Sequence, residues 1–297
     1  MTRHILVTGA NKGIGLALCR EILEQHSDTN VFLGSRDAAR GEAAANSLGA
    51  EGRVIPIQLD VSSDASVSSA AEKVKSILGD SKLYAVVNNA GAGEFGGKVS
   101  DAVDVNTIGV KRVVDAFLPV LDPASGRVAM TSSAAGPNFI AKCGGSKGEE
   151  LTDASVTWLQ VKATVDEVLA MEAAGAADGD FESKGYPPNK SKDPMFGYGL
   201  SKALLNAYTL HLAREHPSLH INACTPGFIE TDLSKPLAEH SGKTAKEMGM
   251  KTPKEGTVAL MRLIFGDVSG NWHYYGSDAL RSPLHKYRGP GDPEYEP

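Results

Sequence analysis

Short apolar runs alternate along this chain with longer segments in which apolar residues recur at helical spacing. The runs show little polar alternation, which is typical of parallel strands covered by helices on both faces. This alternation predicts a doubly wound α/β fold with a parallel sheet and right-handed crossovers. The predicted strands are 5–8, 31–34, 54–58, 83–88, 128–132 and 221–225, and the predicted helices between them are 14–25, 38–48, 65–78 and 105–118.

The last third of the chain continues the pattern. A helix is predicted over 198–215, where Pro217 stops it. Another helix is predicted over 254–265 and a last strand over 272–275. Residues 280–297 are rich in proline, glycine and charge and are expected to run over the surface as a tail. No repeat or second boundary interrupts the pattern, so residues 1–297 are expected to form one domain.

One segment, 138–193, breaks the alternation between the fifth predicted strand and helix 198–215. A structureless loop of this length is unusual in a compact domain. Thr164-Val165-Asp166-Glu167 fits the capping-box pattern that begins a helix. We therefore expect a helical insertion of one or two helices.

Composition narrows the class of protein. The chain has 297 residues, of which 41% are hydrophobic and 22% charged, as in a globular protein. Its net charge of −6 gives no reason to expect nucleic acid or an anionic membrane as a partner. No targeting segment or membrane-spanning run is recognisable. Cys19, Cys143 and Cys224 have neither metal nor disulfide spacing, so we expect no metal and a reducing, cytoplasmic setting.

A glycine-rich turn, Gly9-Ala10-Asn11-Lys12-Gly13-Ile14-Gly15, follows the first strand and opens the first helix. Glycines let the backbone approach a pyrophosphate, and the free N–H groups of a helix start favour an anion. The spacing G-x-x-x-G-x-G differs from the general dinucleotide fingerprint. A turn without a ligand is the alternative, but the position after an apolar strand favours a nucleotide site.

The end of the second strand indicates which nucleotide. A carboxylate there would accept the ribose hydrogen bonds of NAD, whereas this chain has Gly34-Ser35-Arg36. Arg36, helped by Lys12 and Arg40, suits the 2′-phosphate of NADP(H), which is the predicted cofactor. The alternative is that these are solvated charges, and Asp37 beside Arg36 weakens the prediction.

A tyrosine stands four residues before a lysine in Tyr198-Gly199-Leu200-Ser201-Lys202, on one helix face. A lysine ammonium lowers the pKa of a nearby phenol from about 10, which suits proton exchange with a carbonyl or alcohol oxygen. Upstream, the fifth strand ends in Thr131-Ser132-Ser133, where a hydroxyl can polarise a carbonyl.

Together these motifs resemble the short-chain dehydrogenase/reductase family, with its Rossmann fold, over nearly the whole chain. The resemblance implies that Asn106, Ser133, Tyr198 and Lys202 are catalytic, with Ser132 as the close alternative to Ser133. It implies that Lys202 also binds the nicotinamide ribose and that Asn106 holds a relay water. The implied cofactor contacts are Gly9, Asn11, Lys12, Gly13, Ile14, Gly15, Arg36, Arg40, Asp60, Val61, Asn89, Ala90, Gly91, Tyr198, Lys202, Pro226, Gly227, Ile229 and Thr231.

The stretches 11–15, 35–41 and 226–232 resemble the monomeric carbonyl reductases, and Ser133 is much further from Tyr198 than in the common family pattern. In that branch a helical insertion covers the surface used elsewhere for oligomerisation, so the resemblance implies a monomer. Residues 228–249 are expected to form a flexible substrate lid. The expected substrate contacts are Ser133, Tyr198, Phe228, Trp158 and Phe196, although Trp158 alternatively packs the insertion onto the core.

The expected activity is NADPH-dependent reduction of an aldehyde or ketone by hydride transfer, with Tyr198 as general acid/base. Alcohol oxidation at the same site is one alternative. A regulatory nucleotide sensor is another, but a sensor has no need of the complete serine, tyrosine, lysine and asparagine set.

Overall fold

A computed structural model describes residues 2–93, 97–268 and 270–296, and a mixed sheet forms its centre. Its strands are β1 (Arg3–Val7), β2 (Thr29–Ser35), β3 (Val54–Gln58), β4 (Ala85–Asn88), β5 (Arg127–Thr131), β6 (His220–Cys224), β7 (Tyr274–Tyr275) and β8 (Arg281–Ser282). Their order is β3-β2-β1-β4-β5-β6-β7-β8, parallel except for the antiparallel β7–β8 pair. Helices cover both faces, which confirms the predicted doubly wound fold.

The helices before and within the insertion are α1 (Gly13–Gln25), α2 (Ala38–Ser47), α3 (Asp64–Leu78), α4 (Val99–Val103), α5 (Gly109–Phe117), α6 (Ala135–Ile140), α7 (Lys147–Thr152), α8 (Trp158–Ala173) and α9 (Asp178–Ser183). The later helices are α10 (Phe196–Glu215), α11 (Lys235–Ser241) and α12 (Val258–Phe265). Single 3-10 turns occupy Leu118–Val120, Lys190–Lys192 and Glu255–Thr257.

Successive residues of a strand contribute to different cores because side chains alternate between the faces of a sheet. In β1, Ile5 and Val7 join the cluster with α1 and α12. Leu6 joins the cluster that includes side chains of α3, α5 and α10. Both faces are buried, which explains why the strands are apolar at nearly every position.

The predicted helix 105–118 is interrupted in the structure. A π-helical turn at Asp104–Ile108 separates α4 from α5. Such turns are rare in proteins as a whole, and those that occur are often at functional sites. At Gly109, a Cβ atom would lie 2.9 Å from the carbonyl oxygens of both Asp104 and Val61, so this position has no room for a side chain.

Within 138–193 the structure forms the end of α6 and then α7, α8 and α9, more helices than expected. The predicted capping box is wrong: Thr164 and Glu167 lie inside α8. The real box is at Thr157 and Gln160, where each side chain bonds the other residue's backbone N–H. Thr164 instead donates its hydroxyl to the carbonyl oxygen of Gln160.

The insertion packs on α10 through a third core cluster. Its apolar side chains, among them Val161, Val165 and Phe181, meet Leu200 and Leu204 of α10. Sixteen of the twenty residues of α10 are buried, so this helix lies between the sheet and the insertion rather than at the surface.

The prediction that residues 280–297 form a surface tail is wrong for the first part of this segment. Arg281–Ser282 forms β8 against β7, and Arg288 is only 6% exposed. The Arg288 guanidinium pairs with Asp278 and donates to the carbonyl oxygen of Asp292. These contacts tie the tail to the segment between β7 and β8, whereas Pro297 lies outside the described residues.

Candidate active site

The glycine turn is packed tightly against the end of β4. Gly9 and Gly13 have positive φ angles of 61° and 56°, which favour glycine. A Cβ atom on Gly15 would lie 2.5 Å from the Asn89 amide nitrogen and 2.6 Å from the Gly9 carbonyl oxygen. The Asn89 amide donates to the carbonyl oxygens of Thr8 and Gly9 at 3.0 and 3.2 Å, which fixes the turn.

The turn fits the pyrophosphate of a dinucleotide. The first turn of α1 has no acidic residue, and its N-cap Lys12 makes no side-chain cap bond. The backbone N–H groups of this first helical turn therefore remain available to an anion. Thr231 lies 3.4 Å from where a Gly13 Cβ would be, beside this position. Ile14 packs near Gly256, and Asn11 lies half-buried between the two glycines.

The residues expected at the adenosine end lie around the ends of β2 and β3. Asp37 caps α2 by accepting from the Arg40 backbone N–H at 2.8 Å, and its carboxylate lies 3.6 Å from the Arg40 guanidinium. The side chain of Arg36 is exposed. Asp37 is thus engaged in the helix cap, while Arg36 faces solvent.

Asp60 is held in place by the residue two positions on. Its Oδ1 accepts from the Ser62 backbone N–H at 3.0 Å and from the Ser62 hydroxyl at 2.6 Å. These bonds, and then the charges of Arg36 and Arg112, hold the pKa of Asp60 below its usual value despite partial burial. Val61 follows, and its carbonyl oxygen accepts from Arg112.

The turn after β6 approaches the glycine turn from the other side. Pro226 and Ile229 are buried, and Gly227 has a φ of 93° beside Ser277. Phe228 is 39% exposed at the start of the expected lid, which includes α11. Lys12 forms an ion pair with Asp232 at 2.7 Å, which joins this segment to the glycine turn.

Tyr198 and Lys202 lie one turn apart on α10, as predicted. The Lys202 ammonium donates to the carbonyl oxygen of Thr131 at 2.8 Å and lies 5.6 Å from the centre of the Tyr198 ring. The Ser133 hydroxyl lies close enough to Tyr198 to act on the pKa of its phenol. Ser132 is 2% exposed, and its hydroxyl meets no hydrogen-bond partner among the described residues. The structure thus brings Ser133, rather than Ser132, to the tyrosine.

Burial dominates the electrostatics of this group. It raises the pKa of Tyr198, against the opposing effect of the nearby Ser133 hydroxyl. It lowers the pKa of Lys202 to about 8, with the nearby Cys224 thiol acting in the opposite direction. The lowering of the tyrosine pKa that was expected from the Lys202 ammonium is therefore not found in the chain without its cofactor.

Asn106 lies in the π-helical turn and is fully buried. Its amide donates to the Ala92 carbonyl oxygen at 2.6 Å and to the Ser201 hydroxyl at 2.9 Å, and its oxygen accepts from the Ala92 N–H at 3.0 Å. The side chain therefore clamps the loop after β4 to α10. Gly91, in the same loop, lies beside Lys202.

Comparison with known proteins agrees with this geometry. A family model described as short chain dehydrogenase matches residues 3–144. The Short-chain dehydrogenase/reductase 1 of Saponaria officinalis is 32% identical over 294 residues, which cover 88% of this chain and 89% of that protein. This chain belongs to the short-chain dehydrogenase/reductase family.

Membership of the short-chain dehydrogenase/reductase family confirms the resemblance and makes the chain an oxidoreductase. Carbonyl reductase 1 of Bos taurus, whose name specifies NADPH, is 29% identical over 263 residues, covering 84% of this chain and 88% of that protein. The structure of salutaridine reductase from Papaver somniferum matches with a TM-score of 0.73 and 25% identity, covering 92% of this chain and 99% of that one. No helix in the described ranges is long and apolar enough to cross a membrane.

In this short-chain dehydrogenase/reductase the predicted substrate contact at Phe196 is wrong, and Trp158 follows the alternative, in which it packs the insertion onto the core. Phe196 is 3% exposed and packs edge-on against Phe139 and Phe181, inside the core of the insertion. Trp158 packs against the ring of Tyr208 at 5.4 Å. Tyr208 is ten residues beyond Tyr198, roughly 15 Å along the helix, so Trp158 joins the insertion to the core.

One residue of the site escaped the sequence analysis. A Cβ atom on Gly93 would lie 2.3 Å from Cδ2 of Tyr198, so the backbone there presses against the tyrosine ring. The available signal was a second glycine shortly after Asn88-Asn89-Ala90-Gly91. Spacing alone could not show that it faces a residue more than a hundred positions later.

Proposed function

We propose that this chain reduces an aldehyde or ketone to an alcohol, with NADPH as the hydride source and Tyr198 as the proton source. The observation that carries the proposal is the group formed by Ser133, Tyr198 and Lys202 at the same edge of the sheet as the glycine turn. The helix start proposed to bind phosphate and the proposed proton donor thus lie at the same edge of the sheet.

In this mechanism the substrate carbonyl oxygen accepts hydrogen bonds from the hydroxyls of Ser133 and Tyr198. Ser133 holds the oxygen and stabilises the negative charge that develops on it. Tyr198 then gives its proton to that oxygen. The Lys202 ammonium, close to the ring, stabilises the phenolate that remains and holds the nicotinamide ribose.

Reduction uses the protonated form of Tyr198. Burial raises the pKa of Tyr198, which keeps the phenol protonated in the unliganded chain. A protonated phenol is ready to act as an acid, whereas alcohol oxidation needs the phenolate as a base.

NADP(H) is the proposed cofactor because the end of β2 presents the exposed guanidinium of Arg36. The carboxylate of the next residue, Asp37, is engaged as the cap of α2. A guanidinium matches a 2′-phosphate, and a capped carboxylate is poorly placed to select the free ribose of NAD. The NADPH in the name of the bovine relative supports the same choice.

We also propose that the protein is a monomer and that it is located in the cytoplasm. The α7 and α8 helices pack on α10, the helix through which many family members pair, and so occupy that face. The three cysteines, all free thiols, suit a reducing compartment. The proposed partner is a small carbonyl compound.

The test is NADPH consumption, followed at 340 nm, over a panel of aldehydes and ketones. Tyr198→Phe is expected to lower turnover by about 10²- to 10⁴-fold, with nearly unchanged NADPH affinity, because the lost group acts only at the carbonyl. Ser133→Ala should lose more activity than Ser132→Ala. Tight NADPH binding without turnover of any carbonyl would favour the sensor alternative, and full activity in Tyr198→Phe would remove the tyrosine from the mechanism.

A further inference from the structure

A carboxylate of the insertion, Glu172, holds the start of α4. Its Oε1 accepts from the Val99 backbone N–H at 3.0 Å, and its Oε2 accepts from the Ser100 backbone N–H at 3.1 Å. These are the first two N–H groups of the helix, which have no partner within the helix itself and are usually satisfied by an N-cap side chain. Here the N-cap is Lys98, whose side chain makes no cap bond within the described residues. The insertion thus supplies the cap that the local sequence does not.

The position of Glu172 is unfavourable for the helix that carries it. The residue is half-buried in the last turn of α8, which ends at Ala173. The partial negative charge of a helix C-terminus repels a carboxylate in the last turn, whereas the partial positive charge of a helix N-terminus attracts one. The Glu172 carboxylate therefore stabilises the start of α4 and not the end of α8.

The start of α4 lies against the residue before the proposed proton donor. A Cβ atom on Gly197 would lie 3.0 Å from the Cα atom of Val99, so the two backbones are in direct contact. The other end of α4 continues directly into the π-helical turn that contains Asn106. The Asn106 amide donates to the hydroxyl of Ser201, the residue before Lys202. The helical stretch that begins at Val99 thus contacts α10 beside both residues of the tyrosine and lysine pair.

We infer that Glu172 is a positioning residue for proton transfer from Tyr198 and that it acts through the backbone of α4. The inference rests on the proposed carbonyl reduction. A misplacement of about 1 Å in a reacting group can lower a rate by about 10²-fold. The contact between Val99 and Gly197 therefore matters for the rate as well as for stability. In this role Glu172 needs no contact with substrate or cofactor.

The test removes the cap of α4 and then restores it from another position. Glu172→Ala removes both acceptor oxygens. Lys98→Ser places a hydroxyl at the N-cap, three residues before Asp101, which gives the S-x-x-D form of the capping box. Lys98 is exposed, and its φ of −67° and ψ of 145° already suit an N-cap. The double variant Glu172→Ala/Lys98→Ser therefore has a capped α4 without Glu172.

The readout is the single-turnover rate of NADPH oxidation with a carbonyl that the wild-type protein reduces. Glu172→Ala is expected to lower this rate by about 10- to 100-fold, because the proton donor is less well placed. NADPH affinity, measured by calorimetry, should change by less than about twofold, since the lost effect concerns the reacting group and not the cofactor. The double variant should return to within about threefold of the wild-type rate, since its helix start is capped again.

Gln160→Ala is the matched control, because it removes a cap at the other end of α8. Glu172→Ala and Gln160→Ala should both lower the melting temperature, but Gln160→Ala should keep the wild-type single-turnover rate. An unchanged rate in Glu172→Ala overturns the inference. An equal loss of rate in Gln160→Ala, or a loss in Glu172→Ala that Lys98→Ser does not restore, overturns it as well.

The proposed function is judged by separate results. If the wild-type protein reduces no carbonyl, or if Tyr198→Phe keeps full activity, the proposed function fails and the inference fails with it. If Tyr198→Phe loses turnover while Glu172→Ala does not, the proposed function stands and only the role of Glu172 is overturned.

Discussion

The glycine turn and the insertion are held in place by different kinds of contact. In the turn, backbone atoms approach so closely that a methyl group on Gly9 or Gly15 would collide with Ala90 or Asn89. In the insertion, Gly144 and Gly179 face open space, and large apolar side chains make the contacts. The turn is specified by the absence of side chains, whereas the insertion is specified by the volume of those present.

The largest effect on stability is expected from Phe196→Ala. The ring of Phe196 lies 5.3 Å from Phe139 and 5.7 Å from Phe181, so its loss leaves a cavity where the insertion joins α10. We expect a loss of about 3–5 kcal/mol in the free energy of unfolding, measured by urea titration. The control is Leu159→Ala on α8, where a side chain 78% exposed should contribute within about 0.5 kcal/mol.

Equal losses in Phe196→Ala and Leu159→Ala would show that the insertion does not depend on this aromatic packing. The kinetics of the folded Phe196→Ala protein give a second check. A strongly altered preference among carbonyls of different size would restore Phe196 as a substrate contact.

Gly15→Ala tests the close backbone contacts of the glycine turn, the other region in this comparison. The added methyl group would meet the Asn89 amide, the Gly9 carbonyl oxygen and the Ala10 Cα atom within 2.9 Å, and two of these belong to the backbone. We expect a loss of about 1–3 kcal/mol in stability and a clear loss of NADPH affinity, measured by denaturation and calorimetry. Gly179→Ala in α9 is the control and should be neutral or stabilising by up to about 1 kcal/mol.

If Gly15→Ala kept both its stability and its NADPH affinity, the close contacts of the turn would not be limiting. A destabilised Gly179→Ala would likewise show that the insertion is packed as tightly as the turn.

The smallest effect concerns an exposed charge on the cofactor side. Arg36→Ala should weaken NADPH binding by about tenfold and leave NADH binding nearly unchanged, which narrows the preference between the two cofactors. Arg20→Ala, an exposed arginine on α1, should not change the preference. If wild type binds both cofactors equally, Arg36 is only a surface charge.

The same contrast explains what the sequence could predict. The glycine turn and the Tyr198/Lys202 pair were recognisable because their chemistry needs those residue types at that spacing. Strands β1 to β6 were found because residues buried on both faces must be apolar. The two-residue strand β8 was missed because the proline, glycine and charge of residues 280–297 indicated a surface tail.

The errors fall where several patterns fit equally well. Thr157 with Gln160 and Thr164 with Glu167 both match a capping box, and only packing decides which of them begins α8. Trp158 and Phe196 were expected to line the pocket, but an apolar ring fits a core as well as a pocket.

The position of α10 between the sheet and the insertion has a consequence for synthesis of the chain. Ribosomes release the insertion before α10, so Val161, Val165 and Phe181 leave the exit tunnel before their partners Leu200 and Leu204 exist. Until α10 emerges, these side chains can only cluster with one another or expose apolar surface to the cell. The same order leaves the proton-transfer group incomplete until this late stage, so a nascent chain can form its glycine turn well before it gains Tyr198 and Lys202.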